Sequence, residues 1–205
     1  MRWMWVSTAL LGASFVIGNG ADAQTAAPTP QPRPLAGSLA SHPDWPKARA
    51  EDVQSVDALM AALYDVISGP AGKPRDWDRF RSLFLPEGRL GVIRHAAPAA
   101  DGRPAHPDDV VFLTPDDYVQ RDDPFFHANG FFERGIANRV EEFGNLVSVW
   151  STYESRHNAN DAKPFVRGIN SLQIVKAQGR YWVASILWDD ERSGVTLPDK
   201  YLKEK

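Results

Sequence analysis

The stretch that decides the fold is FVRGINSLQIVKAQGRYWVASILWDDE, residues 165–191. Two runs rich in β-branched and aromatic residues flank Gln178-Gly179, a dipeptide that suits the left-handed backbone of a tight hairpin turn. The pattern predicts one strand from Phe165 to Ala177 and an antiparallel partner from Arg180 to Glu191.

A second hairpin precedes it along the chain. Phe131 to Glu141 and Leu146 to His157 have the same strand-like composition, and Glu142-Phe143-Gly144-Asn145 supplies the turn between them. The last third of the domain is therefore predicted to be four antiparallel strands.

The predicted register brings three charged residues together. The Gln178-Gly179 turn places Ala177 opposite Arg180, and counting back along both strands places Arg167 opposite Asp190. The register that we prefer for the neighbouring pair places Arg167 opposite Glu154. Residues that alternate along a strand share a face, so the same face is predicted to carry Trp150, Thr152, Ser171 and Trp188.

Both predicted sheet faces are substantially apolar, so both need a cover. We assign the face with Trp150, Glu154 and Arg167 to a ligand cavity, with Glu133 nearby on the first strand. The opposite face, which carries Tyr153 and Leu172 among many aliphatic side chains, could equally be the core against the helices. An Arg between two carboxylates favours an ion-pair cluster or a substrate clamp over a general base, because the cation lowers the pKa of both acids.

Helices are predicted before the sheet. An apolar stripe at helical spacing predicts a helix from Glu51 to Ser68, and a shorter one follows from Arg75 to Phe84. Arg89 to Arg94 is predicted as a short strand, and His95 to Asp109 as a long loop. Thr114-Pro115-Asp116-Asp117 is typical of a helix start, and that helix is predicted to end near Arg121.

The N-terminus is predicted to direct export. Arg2 followed by an apolar run and Ala21-Asp22-Ala23 indicates a signal peptide over residues 1–23, and the run is short for a membrane anchor, which needs about 20 apolar residues. Residues 24–46 are rich in Pro and Ala and are predicted to be a flexible tether. Residues 47–205 form a single predicted domain. We expect a periplasmic or secreted protein with no stable membrane insertion after cleavage.

Composition narrows the function. The net charge of −3 excludes the strong positive potential that nucleic-acid binding needs, and without Cys the fold depends on packing alone. The five His residues have no ligand spacing with one another or with a carboxylate, so we expect no metal and no cofactor.

Three motifs accompany this order of elements: Leu63-Tyr64 with the later Asp76-Trp77 and Leu83 to Gly88, Asn138 to Asn145, and Gly179 to Val183. Together they resemble the nuclear-transport-factor-2-like superfamily, which includes ketosteroid isomerases, scytalone dehydratase and SnoaL-like polyketide cyclases. The resemblance implies an α+β fold of cystatin-like topology. Three N-terminal helices would pack on a curved, mainly antiparallel sheet around a cone-shaped pocket, often in a dimer through the sheet.

The resemblance also suggests catalytic candidates. Tyr64 matches the tyrosine that donates to the oxyanion in ketosteroid isomerases, but no carboxylate stands near Val92, where their base is expected. His127 is a candidate base because cyclases and dehydratases of this superfamily use a pocket His, although a loop His is the simpler interpretation. Trp77 and Trp150 are either ligand platforms or core residues.

Two functions remain in view at this point. The first is an exported protein that binds a small apolar ligand with a polar handle, with or without isomerase, dehydratase or cyclase activity. The second is a non-catalytic, dimeric, partner-binding module of the same fold.

Overall fold

In the part of the chain that the structure describes, six strands form one mixed sheet, onto which four α-helices pack from one side. The computed structural model describes residues 33–95 and 109–203, and from Pro34 onward they belong to one compact unit. The predicted signal peptide lies outside the described residues, as do most of the predicted loop and the first part of the tether. Among the described residues, no helix is long and apolar enough to cross a membrane.

The sequence of elements is helical first and then mostly extended. In chain order it runs α1 (Ala50–Val53), α2 (Val56–Ile67), α3 (Trp77–Leu83), β1 (Phe84–Arg94), β2 (Asp109–Leu113), α4 (Pro115–Ala128), β3 (Phe132–Phe143), β4 (Leu146–Arg156), β5 (Val166–Ala177) and β6 (Arg180–Asp190). Short 3-10 turns lie at Leu39–Ser41 and Asp199–Tyr201.

The sheet order is β2-β1-β6-β5-β4-β3. Only β1 and β6 run parallel, and the other neighbours are antiparallel, as both predicted hairpins require. The α+β fold class with a mainly antiparallel curved sheet is confirmed. Strand β2 was not predicted, because its five residues follow the long loop and offer too short a pattern.

The first predicted helix is broken into two. Ser55 adopts an extended conformation and its side chain accepts a hydrogen bond from the backbone N–H of Ala58, so it caps α2 and ends α1 before it. The bidentate ion pair of Asp52 with Arg79, at 2.8 and 2.9 Å, then ties α1 to α3.

Two further element bounds differ from the prediction. Helix α4 continues past Arg121 to Ala128 despite Pro124 inside it, because its later turns bury Phe126 in the core. Strand β1 begins at Phe84 rather than Arg89, and an irregularity in its pairing with β6 accommodates Pro86-Glu87-Gly88.

The described part of the predicted tether, residues 33–46, contacts the domain. The indole N–H of Trp45 donates to the carbonyl of Phe84 at 3.1 Å.

The helices cover the sheet face that carries Val149, Tyr153 and Leu172, which we call the inner face; the opposite side is the outer face. Nearly all of the core lies between the inner face and α2, α3 and α4. The cavity assignment from the sequence was therefore wrong, because the apolar, aliphatic face is the one that the helices pack against.

A β-bulge explains which residues changed sides. Ile174 pairs with Val183 but Gln173 pairs with Ser185, so β6 has one extra residue at Ala184. Beyond that point the register shifts by one, and Asp190 lies opposite Gly168 instead of Arg167. A shift of one residue reverses the direction of each side chain, so Trp188 and Asp190 are on the inner face.

Candidate functional site

A cavity of about 230 Å³ lies between the inner face and helices α2, α3 and α4. Its wall is largely aromatic and aliphatic, and a few polar side chains from different strands reach it. The aromatic members are Tyr64, Phe80, Phe84, Tyr118, Phe125, Phe126, Phe131, Tyr153 and Trp188, and the polar and charged ones are Arg121, Asp122, Glu133, Ser155, Asn170 and Asp190.

Glu133, near the start of β3, is the most unusual group in this wall. Its backbone N–H donates to the Oγ of Ser68 at 3.0 Å, which fixes the strand beside the end of α2. Ser155, directly opposite on β4, donates from its Oγ to Glu133 Oε2 at 2.7 Å. The residue is only partly accessible, and it lines the cavity.

Burial changes the acidity of Glu133. Removal from water disfavours the charged carboxylate and raises its pKa to about 7, and the nearby negative charge of Asp190 adds to this increase. The hydrogen bond from Ser155 acts in the opposite direction. A carboxyl group with a pKa near neutrality can both accept and return a proton at physiological pH.

Tyr64 reaches the cavity from α2 because β3 leaves space for its ring. A Cβ at Gly135 would lie 2.9 Å from Tyr64 Cε2, which explains the glycine. The hydroxyl of Tyr64 lies 2.6 Å from Ser151 Oγ and accepts from Asn170 Nδ2 at 3.2 Å. Burial raises its pKa above the ordinary value for tyrosine, so the phenol stays neutral and can act as a hydrogen-bond donor.

The hydroxyl of Tyr153 donates to Asp190 Oδ1, which places a second phenol and a second carboxyl group in the wall. Gly168 allows this contact, since a Cβ there would lie 2.8 Å from the Tyr153 hydroxyl and 2.2 Å from the carbonyl oxygen of Asp189. Burial is the largest cause that raises the pKa of Tyr153, followed by its hydrogen bond to Asp190.

The more exposed part of the wall comes from α4. Arg121 holds Asp122 through two hydrogen bonds, Nε to Oδ1 at 2.9 Å and Nη2 to Oδ2 at 2.8 Å. Phe125 is exposed beside them. We interpret this segment as the mouth of the cavity.

The structure brings three of the sequence-predicted residues together, namely Tyr64, Trp188 and Asp190. Trp77 lies one layer behind the wall, where its ring packs against Phe80 and Phe126 and its indole N–H donates to Asp123 at 2.6 Å. His127 is exposed on α4 and does not line the cavity.

The remaining predicted residues lie on the outer face and not in the cavity; they are Trp150, Thr152, Glu154, Arg167 and Ser171. The predicted pairing of β4 with β5 is correct, so these five do share a face.

The predicted cluster of Glu154, Arg167 and Asp190 does not form. Glu154 binds Arg134 and Arg156, at 2.6 and 2.7 Å, and the hydrogen bond from Arg156 is the largest cause that lowers its pKa. Arg167 instead binds Glu191 at 2.8 Å.

Tyr153, Ser155 and Asn170 were not among the predicted site residues, and Glu133 was expected only near the charged residues of the other face. The sequence did contain a signal for Asn170 and Ser155, because they are polar residues at otherwise apolar positions of the inner face. No group of three or more His, Asp or Glu residues is arranged to hold a metal ion within the part of the chain that the structure describes.

No family model and no curated protein matches this chain in sequence. Solved structures do match. A protein of unknown function with a cystatin-like fold from Nostoc punctiforme aligns at a TM-score of 0.50 and 11% identity, over 67% of this chain and 90% of that one. An NTF2-like protein of unknown function from Silicibacter pomeroyi aligns at 0.42 and 12%, over 66% and 92%.

The beta subunit of a putative aromatic-ring-hydroxylating dioxygenase from Novosphingobium aromaticivorans aligns at 0.48 and 14% identity, over 67% of this chain and 87% of that one. Identities this low concern the fold alone. The match at a TM-score of 0.50 confirms the predicted cystatin-like topology at that level.

Proposed function

We propose that this protein binds a small, mostly apolar molecule in the inner-face cavity and exchanges a proton with it through Glu133. The supporting observation is a carboxyl group that lines an apolar cavity, with its pKa raised to about 7 by burial. Tyr64 is the donor that would stabilise negative charge on a ligand oxygen. The reaction would belong to the isomerase, dehydratase or cyclase type.

Two features of this site differ from the arrangement that the resemblance implies. The proton-exchanging carboxyl stands on β3, and Val92 remains without an acidic side chain. The second acid, Asp190, is tied to Tyr153. The proposed ligand site therefore includes Tyr64, Glu133, Tyr153, Trp188 and Asp190, and excludes the outer-face residues.

A solvent-exchange experiment tests proton transfer without knowledge of the natural substrate. A panel of small apolar ketones, with and without an amino group, is incubated with the protein in D₂O, and loss of the α-proton signals is followed by NMR. We expect exchange that Glu133→Gln slows by about a hundredfold or more, because general acid–base catalysis supplies that range.

The matched control is Glu141→Gln, an exposed glutamate on the same strand. Its exchange rates should equal those of the wild type. If wild type and Glu133→Gln exchange at the same rate for every ketone, the proposed proton transfer is wrong. Native mass spectrometry of the purified protein would in parallel reveal a co-purified ligand.

We also propose that the protein is exported after cleavage of residues 1–23 and that residues 47–205 act as a single domain. N-terminal sequencing of the protein recovered from the periplasm or culture medium should begin at Gln24. Recovery from the cytoplasm with Met1 intact would contradict this proposal.

The outer face supports a homodimer through the sheet, and with it the second candidate function of a partner-binding module. Trp150 is 43% exposed there, Leu146 51% and Phe143 87%, which is unusual for large apolar side chains in a folded domain. We expect a dimer in light scattering after size exclusion, and a monomer for Leu146→Lys. A wild type that stays monomeric at high concentration would contradict the dimer.

A further inference from the structure

The cavity carries more negative than positive charge. Among the described residues, Arg121 is the only basic one that lines it, and this side chain is already paired with Asp122 through two hydrogen bonds. Glu133 and Asp190 also line it, and among the described residues neither carboxyl group has a Lys, Arg or His within ion-pair distance. A carboxylate held away from water without a counter-ion is costly, as the raised pKa of Glu133 reflects, so a bound cation would stabilise it.

The cavity wall also suits a cation. Phe80 stacks on the ring of Tyr118 at 5.0 Å between centroids, the guanidinium of Arg121 already lies over that ring at 6.0 Å, and Trp188 meets Tyr118 edge-on at 6.5 Å. The faces of aromatic rings attract positive charge, and Trp does so most strongly. Carboxyl groups on one side and aromatic rings on the other are complementary to an ammonium group attached to an apolar body.

We propose that the polar handle of the ligand is a protonated amine, which binds between Glu133 and Asp190 while its apolar part packs against Tyr118 and Trp188. This proposal rests on the proposed function, since it assumes that the inner-face cavity is the ligand site. The volume of about 230 Å³ lies below the usual range for drug-sized ligands, so the body of the ligand is small, about one aromatic ring with a short arm.

The affinity for an amine should depend on pH, because amine binding and the protonation of Glu133 are linked. A cation beside Glu133 favours its ionised form, and the pKa of this carboxyl is about 7 in the free protein. Binding should therefore release a proton below pH 7, and affinity should rise about tenfold from pH 6 to pH 8. The facing phenols stay neutral because burial raises the pKa of each. The groups that face Glu133 are Tyr64 from α2, Tyr118 and the Arg121–Asp122 pair from α4, Tyr153 from β4 and Asp190 from β6.

The test compares three molecules of nearly equal shape by isothermal titration calorimetry: 2-phenylethylamine, the neutral 2-phenylethanol and the anionic phenylacetate. We expect the amine to bind about tenfold or more tightly than the alcohol, and phenylacetate not to bind. Glu133→Gln should remove the rise in amine affinity from pH 6 to pH 8, whereas Glu141→Gln should keep it.

Equal or tighter binding of the alcohol or the anion to the wild type would overturn the proposal, as would failure of all three molecules to bind. These outcomes use the wild type alone, so they do not depend on whether the variant folds. The deuterium-exchange result is independent of these outcomes. If exchange depends on Glu133 but the alcohol binds as well as the amine, the proposed function is supported and only the proposal that the ligand is an amine is contradicted.

Discussion

Replacing Glu133 with Gln should make the folded protein more stable at alkaline pH. The unfolded chain titrates this carboxyl at its ordinary pKa of 4.5, and burial raises the value to about 7 in the folded state. Between these two values the folded state binds more protons than the unfolded state, so the free energy of unfolding falls as pH rises. Each pH unit is worth about 1.4 kcal/mol per proton, so the full loss is about 3 kcal/mol above pH 7.

Glutamine has nearly the same shape, can accept the hydrogen bond from Ser155 and cannot ionise. We therefore expect Glu133→Gln to match the wild type in urea unfolding at pH 4.5 and to exceed it by up to about 3 kcal/mol at pH 8. Both proteins contain the carboxylates with lowered pKa, such as Glu154 and Asp52. The difference in the free energy of unfolding between the two proteins at each pH therefore cancels the contribution of these groups.

The matched control is again Glu141→Gln, which should follow the wild-type stability curve. A constant difference between Glu133→Gln and wild type from pH 4.5 to pH 8 would refute the inference that burial raises the pKa of Glu133. If Glu133→Gln is less stable than the wild type at pH 8, the fold stabilises the carboxylate of Glu133. That result would also contradict the proposed role of Glu133 in proton exchange.

Three further substitutions have expected outcomes. Arg75→Met should cost about 3 kcal/mol in urea unfolding, because the buried guanidinium donates to the carbonyls of Ile67, Gly69 and Lys73 at 2.6–2.8 Å, and these would lose their partner; a loss below about 1 kcal/mol would contradict this. Gly168→Ala should displace Tyr153 and lower the melting temperature, whereas an unchanged melting temperature would mean that β5 can shift freely. Arg167→Ala should cost under about 1 kcal/mol and leave amine binding unchanged, because its partner Glu191 lies outside the cavity; loss of binding would place Arg167 in the site after all.

The hairpins could be predicted from the sequence because their signals are local. The Gln178-Gly179 turn has positive φ at both residues, 52° and 76°, and it sets the first strand pairs as counted, Ala177 with Arg180 and Val175 with Trp182. The capping box of Thr114 with Asp117 is local in the same sense, and it forms as its spacing predicts. Neither feature depends on what lies across the molecule.

Strand β2 and the parallel pairing of β1 with β6 could not be predicted in this way. Val92 pairs with Trp188, which lies almost a hundred residues later in the chain, and no local sequence pattern indicates that pairing. The break at Ser55 was missed because the apolar stripe across it suggested one continuous helix.

The candidate site was misplaced because the wrong sheet face was assigned to the cavity, and a β-bulge then separated two of its predicted members from the rest. If β6 had no bulge at Ala184, Trp188 and Asp190 would lie on the outer face beside Arg167, and Leu187 and Asp189 would take their places on the inner face. The extra residue therefore puts an indole in the cavity in place of a leucine, and it puts Asp190 where Gly168 leaves space for the Tyr153 hydroxyl to reach it. The negative charge of Asp190 then contributes to the raised pKa of Glu133. The bulge therefore decides which side chains of β6 line the cavity, and deleting Ala184 should put Leu187 and Asp189 in place of Trp188 and Asp190. Because the indole against which the proposed ligand packs is then lost, amine binding should weaken in titration calorimetry.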